Sequence, residues 1–171
     1  MNWKVVKHKD LSMAEGLRIA HLKDQHWPYG LESQILWMKN NIAMDDAHLM
    51  GEEQDESEVD LRAYITFTNL VVMIDDLQVS CIGVGCVCVD KTVQHTGTGK
   101  NLMQEAEKYI NEQGQMGILL CRDPLVPFYE KCGWKLVQYK SAFVAGNNYD
   151  HNIMLLGKNC ACSNIIIDKN F

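Results

Sequence analysis

Residues 93–103 read VQHTGTGKNLM: two glycines two apart, set among hydroxyl residues, ahead of a lysine and an apolar helical pattern. Gly97 and Gly99 admit backbone angles closed to other residues, and they remove side chains that would block an approaching anion. The first-turn amides of the helix that follows have no intrahelical partner, and with the helix dipole they present about half a positive charge. Strand, glycine loop and helix in that order form a geometry for holding phosphate. Two phosphate loops do not fit. A P-loop needs glycine at position 94 and Ser or Thr at 101, where the chain has Gln94 and Asn101. The dinucleotide fingerprint needs three glycines and an acid about 20 residues on, and neither is present. On this stretch alone, a turn that merely joins strand to helix stays open.

Other reactive residue types carry less. The seven cysteines are odd in number and lie in apolar, strand-like surroundings, the pattern of reduced thiols in a cytosolic protein. Cys86-x-Cys88 and Cys160-x-Cys162 together would offer four thiolates to zinc. Two residues apart on a strand is also ordinary packing of small apolar side chains on one face, and no metal is expected. Cys86 or Cys88 as a nucleophile lacks a sequence-near histidine to activate it. His95 reads as a bystander or donor in the loop. The acidic run Glu52, Glu53, Asp55, Glu56 and Glu58 reads as a solvated turn. The formal net charge is -6, and basic residues do not gather beyond KVVKHK, so nucleic acid is not an expected partner. An acidic chain weakly favours cationic substrates.

These residues need elements to place them. With 171 residues, 47% of them hydrophobic, the chain suits one domain over 1–171. Its apolar runs fall far short of the ~18 residues that cross a bilayer. MNWKVVKHKD lacks the apolar centre of a signal peptide, which predicts a cytoplasmic protein with no membrane partner. Alternation predicts an edge strand at 2–8. Asp10 or Ser12 caps a helix with Leu11, Ala14, Leu17, Ile19 and Leu22 on its stripe, ending before Pro28. A second helix at 31–42 turns Leu31, Ile35, Leu36, Met38 and Ile42 inward. Strands follow at 47–53, 59–68 and 70–74, then a turn at Asp75-Asp76 and a central strand at 77–89. Gly83 and Gly85 in that strand mark a bulge or a close backbone approach. After the loop comes a helix with Leu102, Met103, Ala106, Tyr109 and Ile110 inward, stopped by Gly114. A buried strand at 116–121, a short helix at 124–131 and strands at 134–139 and 152–157 follow. The tail from 158 either adds a strand or simply packs.

VCVDKTVQHTGTGKNLMQEAEKYI resembles the acetyl-CoA loop of the GNAT family of N-acetyltransferases, with Gln94, Gly97 and Gly99 in the signature places. About thirty residues on, PFYEKCGW resembles the family's second motif, with Trp134 in the aromatic place. The likeness is specific from 84 to 136 and topological outside that span. It implies an α/β (α+β) GNAT fold: a mixed, mostly antiparallel sheet of six to seven strands, with about four helices. A splayed parallel pair at 84–89 and 116–121 is part of that fold. It implies acetyl-CoA as co-substrate, held by the amides of Gln94, His95, Thr96, Gly97, Thr98, Gly99 and Lys100. Its pantetheine arm would pair with Val87, Cys88 and Val89, with an N–H near Val89 as oxyanion donor. Tyr129 matches the family's tyrosine, the acid for the departing thiolate. Departures are Gln94 for the commoner arginine, His95-Thr96 for Arg-Gly, and RDP where relatives often carry an asparagine. The base stays open among His26, Glu32, Asp76, a water chain, or an amine that arrives neutral. The expected reaction is acetyl transfer to a small-molecule primary amine, with a mild likeness to aminoglycoside acetyltransferases. Alternatives are a peptide or protein N-terminus as acceptor, or an acyl-CoA-binding module without catalysis. A homodimer is an admissible assembly.

Overall fold

The structure, a computed structural model, describes residues 1–54 and 58–171. In chain order its elements are β1 (Asn2–Lys7), α1 (Met13–Asp24), α2 (Leu31–Asn41), β2 (Ala47–Gln54), β3 (Val59–Ile74), β4 (Leu77–Val89) and α3 (Thr98–Glu112). Then come β5 (Met116–Cys121), α4 (Val126–Lys131), β6 (Trp134–Val144), β7 (Asn147–Asn148), β8 (Asn152–Leu156) and β9 (Cys160–Ile167). Among the described residues the strands make a mixed, mostly antiparallel sheet of nine strands, where six to seven are expected. The chain divides into two compact units, residues 1–68 with 86–106 and residues 69–85 with 107–171.

In the first unit β1 pairs antiparallel with β2, and β2 with β3, shifting register at Gly51/Glu52. Helix α1 opens on a capping box. The Ser12 hydroxyl accepts from the Glu15 amide at 3.3 Å, and the Ser12 amide donates to the Glu15 carboxylate at 2.8 Å. Ser12, not Asp10, is therefore the cap. The apolar cluster gathers Ile19 and Leu22 from α1, Met38 from α2, Met50 from β2, Leu61 and Tyr64 from β3, and Cys88 from β4. Helix α2 departs from expectation: it buries Gln34 and Met38, while Ile35 and Leu36 are exposed. Its apolar residues occur on every side, so spacing alone cannot choose a face. The choice is made by Gln34, whose amide donates to the Trp27 carbonyl at 2.6 Å, and by Trp37, whose ring takes the buried Lys23 ammonium 3.8 Å from its centroid. Glu52 is not a solvated turn residue either. It lies buried at the end of β2, 2.8 Å from Lys4 and 2.9 Å from Arg18. Asp55 and Glu56 of the expected acidic turn lie outside the described residues.

In the second unit β4 and β5 pair in parallel from Cys81–Met116 to Val84–Leu119, where the ladder stops. Strand β8 pairs antiparallel with β5 and with β6, and β6 with β7. The tail does add a strand: β9 runs parallel to β6 and antiparallel to residues 72–74 of β3. Asp75 sets its register by accepting from the Ser163 and Asn164 amides at 2.8 and 2.9 Å. The core of this unit includes Val72, Ile118, Val144, Ile153, Leu155, Ile165 and Ile167. Gly83 and Gly85 serve a close approach. A Cβ on Gly85 would lie 2.6 Å from the Phe171 backbone. Cys86, one residue later, has φ at +51°.

Candidate active site

Strand β4 delivers the glycine loop through a short 3-10 turn at Lys91–Val93. Asp90 anchors that turn. Its carboxylate accepts from the Thr92 amide at 2.8 Å and from the Gln25 side chain at 2.9 Å, and it also holds the Thr92 hydroxyl. Its amide donates to the Arg62 carbonyl at 2.8 Å, and its carbonyl takes the Val93 amide at 3.0 Å. Burial alone would raise the Asp90 carboxyl. The bonds from Thr92 and Gln25, with Arg62 nearby, outweigh it and hold the group below its usual range. The Gln25 side chain also accepts from the Lys91 amide at 3.1 Å, so the C-cap of α1 and the turn share one polar joint. Sequence reasoning missed Asp90 and Gln25, because residues 65 apart give no local signal.

Beyond Val93 the backbone changes character. His95 sits at φ +64° and Gly97 at φ +93°. Two left-handed residues two apart, next to an extended Gln94, bend the chain sharply at the head of the helix. Among the described residues' turn, loop and cap bonds, no amide of residues 94–100 donates to the protein; the next, Asn101, donates to the Gly97 carbonyl at 3.1 Å. The Thr96 hydroxyl braces the loop against the Val93 carbonyl at 2.7 Å and meets the Thr98 hydroxyl at 2.9 Å. Gln94, His95, Thr96, Gly97 and Lys100 are exposed. Exposed residues at the head of a fifteen-residue helix, with a lysine among them, offer amides that would suit a diphosphate.

On β4, Val87 and Val89 are half-buried, while Cys88 turns into the apolar cluster of the first unit. Burial pushes the Cys88 thiol strongly up, which keeps it an inert apolar group. Only its backbone is available to a ligand. The Val89 carbonyl receives the His26 ring nitrogen Nε2 at 2.8 Å. Facing a carbonyl, that nitrogen must be the protonated one. His26 thus acts as a strut for the end of β4. Of the other sequence-named bases, Glu32 is exposed on the first turn of α2, and Asp76 is exposed at the β3–β4 turn.

The loop residues and Val87–Val89 all belong to the first unit; Tyr129 belongs to the second, on α4. Tyr129 is buried, with its ring centroid 5.2 Å from that of Phe128. Burial, with the Cys121 and Cys132 thiols adding, pushes its hydroxyl well above the usual range, so it stays protonated at every working pH. All seven cysteines are free, and no group of three or more His, Cys, Asp or Glu side chains gathers for a metal among the described residues. None of the described helices is long and apolar enough to cross a membrane.

Comparison with known proteins bears on this arrangement. A family model described as an acetyltransferase (GNAT) domain matches residues 42–148. No curated protein sequence matches the chain. Among solved structures, Escherichia coli ElaA superposes with a TM-score of 0.65 at 18% identity, covering 91% of this chain and 98% of that one. An aminoglycoside 6'-N-acetyltransferase complexed with coenzyme A has a TM-score of 0.63 at 15% identity, covering 89% and 95%. The Escherichia coli ribosomal-protein-S18-alanine N-acetyltransferase has a TM-score of 0.57 at 14% identity, covering 91% and 93%.

Proposed function

Because this chain belongs to the GNAT family of acetyltransferases, we propose that it transfers an acetyl group to the primary amine of a small molecule. The observation that carries the reading is the run of unspent amides at residues 94–100, with His95 and Gly97 in the left-handed region. Acetyl-CoA, when bound, supplies the acyl group as a thioester. The chain's own part has three components. Amides of Gln94 through Lys100 hold the diphosphate, and Lys100 adds a cation at the head of α3. The backbone of Val87, Cys88 and Val89 offers strand-like pairing to the arm of the cofactor. An N–H there can face a developing oxyanion, and one such donor is worth about 2.7–4 kcal/mol in other acyl transfers. The Val89 end of the strand is held still by His26 and Asp90.

Tyr129 supplies the proton that the leaving thiolate needs. A phenol near pKa ~10 and a thiol near ~8.5 differ by only about 2 kcal/mol in water. Burial lifts the phenol further, and a thiolate shielded from water is lifted in the same sense, so the pair stays within reach of proton transfer. The aminoglycoside 6'-N-acetyltransferase among the structural neighbours supports a small polyamine-like acceptor, and the net charge of -6 suits a cation. The acceptor is found by screening amines, including peptide N-termini, for release of free CoA thiol. Calorimetry with CoA tests the cradle, and Tyr129→Phe tests the acid. That variant is expected to keep CoA affinity and to lose turnover by about 100-fold. Unchanged turnover at every pH removes Tyr129 from the mechanism, and CoA binding with no turnover on any amine favours a binding module.

A further inference from the structure

Acetyl transfer to an ammonium releases one proton net, and the sequence leaves open which group takes it. In the first unit four polar side chains stand in series. His8 Nδ1 lies 2.9 Å from His48 Nε2, His48 Nδ1 lies 2.7 Å from the Tyr64 hydroxyl, and that hydroxyl lies 2.8 Å from Thr66 Oγ1. His48 and Tyr64 are fully buried, and Thr66 is 2% exposed. The outer end, His8, is half-buried. The inner end packs against β4: Tyr64 and Cys88 share one apolar cluster, and Cys86 packs against it. His48 and Thr66 face each other across the β2–β3 ladder, so the spacing is fixed by strand register.

We propose that Tyr64, His48 and His8 form the path by which the acceptor's ammonium proton leaves the β4 site for solvent; this rests on the acetyltransferase reading above. Each member both donates and accepts, so the chain has two opposite polarities. In one, Thr66 donates to Tyr64, Tyr64 to His48 Nδ1, and His48 Nε2 to His8 Nδ1. A proton taken by the Tyr64–Thr66 hydroxyl pair then displaces the tyrosine proton onto His48. His48 passes its Nε2 proton to His8, and His8 gives up its own Nε2 proton to water. Only N–H and O–H bonds change, one proton enters and one leaves, and no further reactant is needed. The charged groups around the path suit a neutral relay. His48 is pushed down to about 4 by burial first, then by His8 and Lys23, with Glu15 opposing. His8 is lowered by burial against the pull of Asp46. Tyr64 is held protonated by burial and by the Cys86 and Cys88 thiols, against Thr66. A neutral imidazole can pass a proton in either direction, whereas a charged one blocks the chain.

The alternative is a static polar ladder that only holds β2 to β3. Two acceptors separate the two: an alkylamine that is an ammonium at pH 7, and a weakly basic amine that arrives neutral. His8→Ala and Tyr64→Phe are expected to lower kcat on the alkylamine by about 100-fold at pH 7. The loss should shrink as pH rises toward the amine's own pKa, and the weakly basic amine should turn over at the wild-type rate. Added imidazole should restore His8→Ala on the alkylamine alone. Equal losses on both acceptors, or none on either, overturn the path while leaving the acetyltransferase standing. His8 lies at the accessible end, so His8→Ala with imidazole decides the matter if Tyr64→Phe fails to fold. A wild-type protein that acetylates no amine overturns the proposed function itself.

Discussion

Gly97 shows how much one backbone angle carries. At φ +93° an L side chain is strained, although a Cβ there would meet no atom within 4 Å. The cost of Gly97→Ala is therefore wholly conformational, about 1–2 kcal/mol for a left-handed residue. Part of that falls on stability and part on the cradle, because relaxing Gly97 turns the neighbouring amides away from a common point. Calorimetry should show CoA affinity weakened roughly 10-fold, the equivalent of about 1.4 kcal/mol. An alanine variant with wild-type affinity would mean that these amides do not hold the diphosphate. Cys86 is the contrasting residue, a non-glycine at φ +51° inside a strand. It breaks the regularity of β4 one residue past Gly85, just after the parallel ladder with β5 has stopped at Val84.

Among the elements, α1 matters most to the candidate site, since its C-cap, Gln25, holds the Asp90 joint and His26 comes next in the chain. Its start is fixed by the Ser12–Glu15 box. Burial alone would raise the Glu15 carboxyl, but the Ser12 bonds and the Lys4 ion pair take it down to about 2. Ser12→Ala should cost about 1 kcal/mol, read as a lower urea midpoint with an unchanged m-value. No change in midpoint would mean that packing, not the cap, sets the helix start. The α3 stripe of Leu102, Met103, Ala106 and Ile110 and the two family motifs were legible, whereas the start of α1 was read only as Asp10 or Ser12. Features set by distant partners were not legible. The face of α2 depends on Trp27 and Lys23, the parallel seat of β9 depends on Asp75, and Glu52 is buried because Lys4 and Arg18 reach it. The His8–His48–Tyr64 series was invisible for the same reason: its members are 40 and 16 residues apart. The stiffening of the loop by Asp90 could not be read either, since Gln25 lies 65 residues away.

For the whole molecule, buried titratable groups set the pH range of stability. His48 has its folded pKa near 4, below the ordinary 6.5. Between those values the unfolded chain binds more protons than the folded one, so stability falls as pH drops from about 6.5 to about 4. For a fully buried imidazole that loss is of order 3 kcal/mol. Glu15 adds a second acid limb, from its usual value down to about 2. On the alkaline side Cys81 and Cys121 are raised to about 11 from the ordinary 9.0, so the folded state keeps protons that the unfolded chain gives up. Stability therefore declines as pH rises from about 9 to about 11. Lys23 works against this second trend. Burial lowers its pKa, so the folded state sheds its proton first and gains relative stability as pH climbs toward 10.5. The sum is a plateau between about pH 6.5 and 9, steeper on the acid side. Thermal melts across pH should show it, with a fall of order 10 °C between pH 6.5 and 4. His48→Gln should flatten the limb between pH 6.5 and 4 and leave the Glu15 limb in place. If the acid limb keeps its full slope in that variant, His48 is not held neutral in the fold, and the relay loses the property that lets it pass a proton in either direction.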